Sequence, residues 1–228
     1  MLGNIDKLKE ITNWMCNDIS RSIFSAKANF LVALGLMNYT EILGSFITGE
    51  FQKDNSGTIK LNQKAEHIKT TSTERFNSFF RRLGDSYKEL IDIKKLKVYD
   101  ELRCGLTHEY LVKKKQFCIY GTDSFLNEQE MNSLPNPISP KSIAHSGVIY
   151  QVDPSGNETW HILNPKYYID FKRAKEKLIS EIESGSNKTL ISNFQERCRY
   201  VNLARFISYS RLTNTSGAFS QFLGLVPS

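Results

Sequence analysis

A chain of 228 residues with 40% hydrophobic, 11% aromatic and 24% charged residues has the proportions of a globular protein, which argues against a disordered or fibrous chain. Its length suits one domain, or one domain with an elaboration, large enough to bury a real core. Its 30 basic and 24 acidic residues leave a net charge of +6, a mild excess that favours polyanionic partners without demanding them.

Cys16, Cys104, Cys118 and Cys198 lie far apart with no C-x-x-C pair. Their spacing therefore suggests neither a zinc knuckle nor a disulfide framework, and they read as free thiols in a reducing compartment. The N-terminus, MLGNIDKLKE, has acidic residues and no apolar stretch behind a basic start. No window approaches about 18 uncharged apolar residues, so a cytoplasmic protein without a membrane span is expected.

Ile5, Leu8, Ile11, Met15 and Ile19 recur at three- and four-residue steps, and Phe30, Leu31, Leu34, Met37, Ile42 and Phe46 continue the pattern. Two helices are expected, with a bend near Ser20–Ser25. The second is apolar around much of its circumference and carries the small residues Ala33, Gly35 and Gly44, which admit a close neighbour and suit the central helix of a bundle. Residues 50–70 read as a polar connection.

Thr71 followed by Glu74 is a candidate capping box, opening a third helix that buries Phe76, Phe79, Phe80 and Leu83 and stops at Gly84. Asp85 is placed to cap a short fourth helix through Ile93. From Lys95 to Tyr110, Leu96, Tyr99, Leu102 and Leu106 mark one more helix. Beyond it come short β-branched and aromatic segments, and Asp153–Asn157 is a hairpin-turn signal between the last two. Residues 121–146 read as a long loop. Two further helices follow, separated at Gly185, and the charge run Lys172, Arg173, Lys175 and Lys177 reads as a solvated face.

The segment Tyr99–Tyr110, YDELRCGLTHEY, packs a guanidinium, an imidazole and a phenol together, a set suited to work on phosphate. On a regular helix the five residues from Arg103 to His108 turn about 140° and rise about 7.5 Å. Convergence on one atom then requires a local break, for which Gly105 is the plausible place, or a second copy of the helix from a symmetry mate. The second route implies a homodimer with both motifs at a two-fold cleft.

Arg103-Cys-Gly-Leu-Thr-His108 resembles the Arg-x-x-x-x-His motif of the HEPN superfamily, helical-bundle proteins many of which are metal-independent ribonucleases in toxin–antitoxin, abortive-infection and CRISPR-associated systems. Extended to Tyr110, the segment is similar to the form found in HEPN toxins whose tyrosine is adenylylated by a partner nucleotidyltransferase antitoxin. The likeness covers the motif and, more loosely, the helix order over residues 1–112.

With that resemblance the expected architecture is mainly α, α+β overall. A HEPN-like antiparallel helical bundle spans 1–112, a small antiparallel β-hairpin element with its long loop spans 113–163, and C-terminal helices packing on the bundle span 164–228. The function implied is metal-independent endoribonuclease activity in a toxin or defence context. It implies RNA as substrate, no cofactor, and an antitoxin or nucleotidyltransferase as a partner. One departure stands out: such ribonucleases commonly carry a polar residue directly after the arginine, and here that position is Cys104, a weak donor that prefers burial.

The chemistry asked of the catalytic pair is simple. His108 can move protons at neutral pH, and Arg103 offers a permanently charged planar fork to phosphate oxygens. Neither role needs a metal. Glu109 could fix the imidazole, Tyr110 could stack on a base, and Lys113, Lys114 and Lys115 could attract phosphate beside the site.

Blander alternatives stand beside these. Arg103 could pair with Glu101 or Asp100, and His108 could sit against a helix C-terminus. Tyr110 could be a core aromatic, and the three lysines a solvated strand entrance. A non-catalytic module that binds RNA or protein is the rival function.

Overall fold

The structure is a computed structural model, and it describes residues 2–26, 28–49, 70–106, 117–120, 147–152 and 156–200. The fold is mainly helical with a small sheet. Helix α1 runs from Leu2 to Phe24, and its stripe of Ile5, Leu8, Ile11, Met15 and Ile19 is buried as the periodicity requires.

Helix α2, Asn29–Thr48, lies centrally. It packs against α1, against α3 (Ser72–Phe80), and against the two C-terminal helices α5 (Asn164–Ser184) and α6 (Lys188–Tyr200). Its burial follows from small residues facing those neighbours. A Cβ on Gly35 would lie 2.7 Å from Ile19 Cδ1, and one on Gly44 would lie 1.6 Å from the carbonyl oxygen of Arg75. Leu31, by contrast, is 57% exposed, because α2 is apolar over more of its surface than its neighbours cover.

The expectation that no apolar run is long enough to span a membrane needs correction. By length and composition α2 passes that test, with half of the apolar window buried inside the protein. Glu41 is the single charged residue within α2.

The capping box forms as read. Glu74 N–H donates to Thr71 Oγ1 at 3.2 Å, and Thr71 N–H donates to Glu74 Oε2 at 2.9 Å. Phe76, Phe79 and Phe80 fill the core, a short 3₁₀ turn follows, and the chain stops at Gly84, whose φ of 151° suits a residue without Cβ. Helix α4, Asp85–Asp92, is preceded by Gly84 as its cap residue, and no side chain caps it. Asp85 therefore acts as a first-turn acid instead of the expected cap.

The sheet has the order β1-β3-β2, with β1 at Phe117–Tyr120, β2 at Val148–Val152 and β3 at Glu158–Leu163. β2 lies antiparallel to β3, pairing Tyr150 with Trp160. β1 pairs with β3 in parallel, Phe117 opposite Trp160, so the sheet is mixed where a wholly antiparallel element was expected. A parallel neighbour needs a long crossover, and the 37 residues between β1 and β3 supply one. The hairpin-turn residues 153–155 and the expected loop 121–146 lie outside the described residues, as does most of the polar connection, 50–69.

The central strand buries Trp160, His161 and Ile162 in succession. Burial of His161 disfavours its charged form and lowers its pKa from the ordinary 6.5. The unfolded imidazole thus takes up a proton before the folded one does. Stability from this group is complete above about 6.5 and is lost as pH falls through the lower folded value. His161→Gln is expected to shrink the stability difference between pH 7.5 and pH 5.5, as measured by urea unfolding at both. An unchanged difference would refute the assignment.

β3 runs directly into α5, where Pro165 occupies the first turn and Asn164 Nδ2 donates to Asn29 O at 2.9 Å, tying the start of α5 to the start of α2. Gly185 ends α5 in the left-handed conformation, φ 66°. At the far end of α2, Asn193 of α6 donates to Ile47 O at 2.7 Å, and Phe46 packs on Phe194.

Within α5 the expected solvated charge run is only partly solvated. Lys177 is exposed, but Lys175 is 6% exposed and donates to Asn13 Oδ1. Lys172 lies over the Tyr168 ring and Arg173 approaches Asp170. Long side chains here lay their stems along apolar neighbours while the heads find partners.

Candidate functional site

The chain leaves α4 through Lys95, a non-glycine residue at φ 54°. Between Tyr99 and Cys104 it forms a π-helix, and the expected regular helix is not what is found there. Gly105, the expected point of breakage, is itself helical at φ −57°, ψ −51°, so the departure lies in the turn before it. A π turn accommodates one extra residue and changes which side chains share a face, a device frequent at functional sites. Packing explains why it is tolerated: Leu102 and Leu106 are buried, and Tyr99 meets Phe76 edge-on at 5.6 Å.

Arg103 projects from this widened turn toward α2. Its Nη2 stands 2.8 Å from Glu41 Oε2, and its guanidinium lies 5.4 Å from the centre of the Tyr99 ring. The other Glu41 oxygen, Oε1, accepts from Arg75 Nη2 at 3.4 Å, and the same Nη2 donates to Ser72 Oγ at 2.8 Å. The Ser72 hydroxyl also favours the ionised form of the Tyr99 phenol. Three elements therefore meet in one polar cluster: Glu41 from α2, Ser72 and Arg75 from α3, and Tyr99 and Arg103 from the π-helix.

Burial raises the Tyr99 pKa above its usual value. The Ser72 hydroxyl opposes that shift, Glu41 adds to it, and Arg103 opposes it. The phenol stays protonated at neutral pH and serves as a platform beneath the guanidinium. A carboxylate on one edge and a ring face below fix an otherwise flexible side chain, which is the preparation an anion-binding arginine needs. Cys104 is half-buried and packs against the hydrophobic core, consistent with a thiol's preference.

Of the sequence-derived site residues, the described part of the chain contains Arg103. His108, Glu109, Tyr110, Lys113, Lys114 and Lys115 lie outside the described residues, as do His67 and His145. Glu41, Ser72, Arg75 and Tyr99 were not anticipated as parts of the site. One signal was available for Glu41: a lone carboxylate in a 20-residue apolar helix calls for a cationic partner. Nothing local to Arg75 marks it. Among the described residues no three His, Cys, Asp or Glu side chains gather as a metal site.

No family model matches this chain, and neither a curated protein nor a solved structure matches it.

Proposed function

We propose that this chain is a metal-independent endoribonuclease with a HEPN-like helical bundle, acting as a homodimer in a toxin or defence context. The observation that carries the reading is the fixed guanidinium of Arg103, held by Glu41 and the Tyr99 ring in a widened helical turn five residues before His108. In this reading Arg103 grips the non-bridging oxygens of the scissile phosphate as charge builds during attack by the neighbouring 2′-hydroxyl. Glu41 keeps the fork aimed. His108 moves the proton, an effect typically worth about 10²–10⁴ in rate.

Glu109 orients the imidazole and Lys113–Lys115 draw the strand in. Tyr110 stacks on a base and, by the family resemblance, is the residue a nucleotidyltransferase antitoxin would modify. His108→Ala is expected to lower cleavage of single-stranded RNA by about 10²–10⁴-fold while the thermal unfolding midpoint stays within about 2 °C. A wild-type dimer that binds RNA and cuts none of it would reject catalysis.

A second reading is favoured by Cys104. Packed on the core, its thiol supplies no polar group to a phosphate, which suits a HEPN-like module that binds RNA or a protein without cutting. Under that reading Arg103→Ala weakens binding and lowers its salt dependence, with no cleavage to lose.

A further inference from the structure

We propose that Arg75 is a second phosphate-binding residue of this site, acting beside Arg103. The inference rests on the RNA reading above and adds a cation from a different helix, 28 residues earlier in the chain.

One carboxylate serves two guanidiniums here, Oε1 facing Arg75 and Oε2 facing Arg103. The Arg75 guanidinium carries five N–H donors, and its contacts with Glu41 and Ser72 both run through Nη2, so its donor capacity exceeds what those two take up. The side chains of Arg75 and Arg103 are 19% and 20% exposed and that of Glu41 12%, so all three keep some contact with solvent. The nearest acid on α3, Glu74, is turned back to the Thr71 N–H and hydroxyl and is thereby occupied in capping.

Arg75 is also held as firmly as Arg103. Its backbone carbonyl packs against Gly44, where a Cβ would approach to 1.6 Å, and its Nη2 is pinned by Ser72. Because that backbone contact falls one turn beyond Glu41 on α2, the spacing of Arg75 and Glu41 is set by the packing of α3 on α2. An RNA strand carries a phosphate at every nucleotide, so a strand that seats one phosphate on Arg103 presents more anionic oxygen nearby. A bare surface arginine would lose its conformational freedom on binding; this one has already lost it on folding.

The test uses a single-stranded RNA with 2′-O-methyl riboses, which binds without being cut, and follows affinity against salt for wild type, Arg75→Gln and Arg103→Gln, alongside turnover of cleavable RNA. Arg75→Gln is expected to weaken binding about 10- to 100-fold and to reduce the log–log salt slope by about 0.7. In cleavage it should raise KM while leaving kcat within about threefold. Arg103→Gln should lower kcat as well. Affinity and slope equal to wild type in Arg75→Gln, with Arg103→Gln impaired, overturn the Arg75 assignment alone. A wild-type protein that binds no RNA overturns the reading it rests on.

If Arg75→Gln fails to fold by circular dichroism, Arg75→Lys replaces it, since an ammonium keeps the charge near Glu41 and loses the planar fork. It should retain the salt slope and lose at least about threefold in affinity. Unchanged affinity in that variant also overturns the proposal.

Discussion

Replacing Asp170 by alanine is expected to lower the free energy of unfolding by about 3–5 kcal/mol, the cost typical of breaking a buried ion pair from one side. Asp170 sits on α5 with its side chain 9% exposed; it accepts from Tyr87 Oη at 2.9 Å and Lys166 Nζ at 2.7 Å, and Arg173 Nη1 stands 3.6 Å away as an ion-pair partner. Lys166 is itself 6% exposed. Burial raises the carboxyl's pKa above its usual value, while the Lys166 hydrogen bond and charge pull it back down.

Removal of the carboxylate leaves a buried ammonium and a buried phenol without that acceptor. Gly147 packs on the Tyr87 hydroxyl so closely that a Cβ would lie 1.7 Å away, which blocks a simple swing of the ring. Replacing both partners, Lys166→Met with Asp170→Leu, should cost far less than Asp170→Ala alone, because no charge is then stranded. Urea denaturation of the three proteins decides the matter. A single-variant loss below about 1 kcal/mol would show that Lys166 finds another partner or reaches water.

What could be read in advance divides along a physical line. Signals confined to one turn or one helix face came through: the α1 stripe, the Thr71–Glu74 box, and the stops at Gly84 and Gly185 all match the structure. Each is decided by backbone groups and side chains within a few residues of one another. Features set by distant partners did not come through. The steps Leu96, Tyr99, Leu102 and Leu106 fit a regular helix, whereas the structure has a π turn there, with Arg103 against Glu41 and Leu102 in the core. Lys175 looked solvated because Asn13, its acceptor, is 162 positions away. The parallel pairing of β1 was likewise beyond local reading, since strand direction depends on the whole crossover. The polar cluster shows the same division: the sequence singles out Arg103 by its spacing to His108, whereas the contacts of Glu41 with Arg103 and Arg75 depend on how α2 packs on α3 and the π-helix.

That packing yields the other large expected effect. Gly44→Ala should destabilise the protein by at least the roughly 1–3 kcal/mol usual for overpacking, although alanine is about 1 kcal/mol the better residue in a helix interior. The sign follows from what the new methyl meets. At 1.6 Å from Arg75 O and 2.5 Å from its carbonyl carbon, it confronts backbone, which cannot rotate away. The helices α2 and α3 must separate, and the aromatic residues Phe76, Phe79 and Phe80 lose contact with the core.

Gly35→Ala is the internal control. Its Cβ would meet Ile19 Cδ1 at 2.7 Å, the end of a side chain that can change rotamer, so helix propensity and overlap nearly cancel. Thermal unfolding should rank Gly44→Ala well below both wild type and Gly35→Ala. In the same variant Arg75 is carried away from Glu41, so under the proposed RNA reading affinity should fall even at temperatures where the protein remains folded. Equal midpoints for the two alanine variants would mean that α3 does not lie against α2 at Gly44, and the polar cluster built on that contact would have to be redrawn.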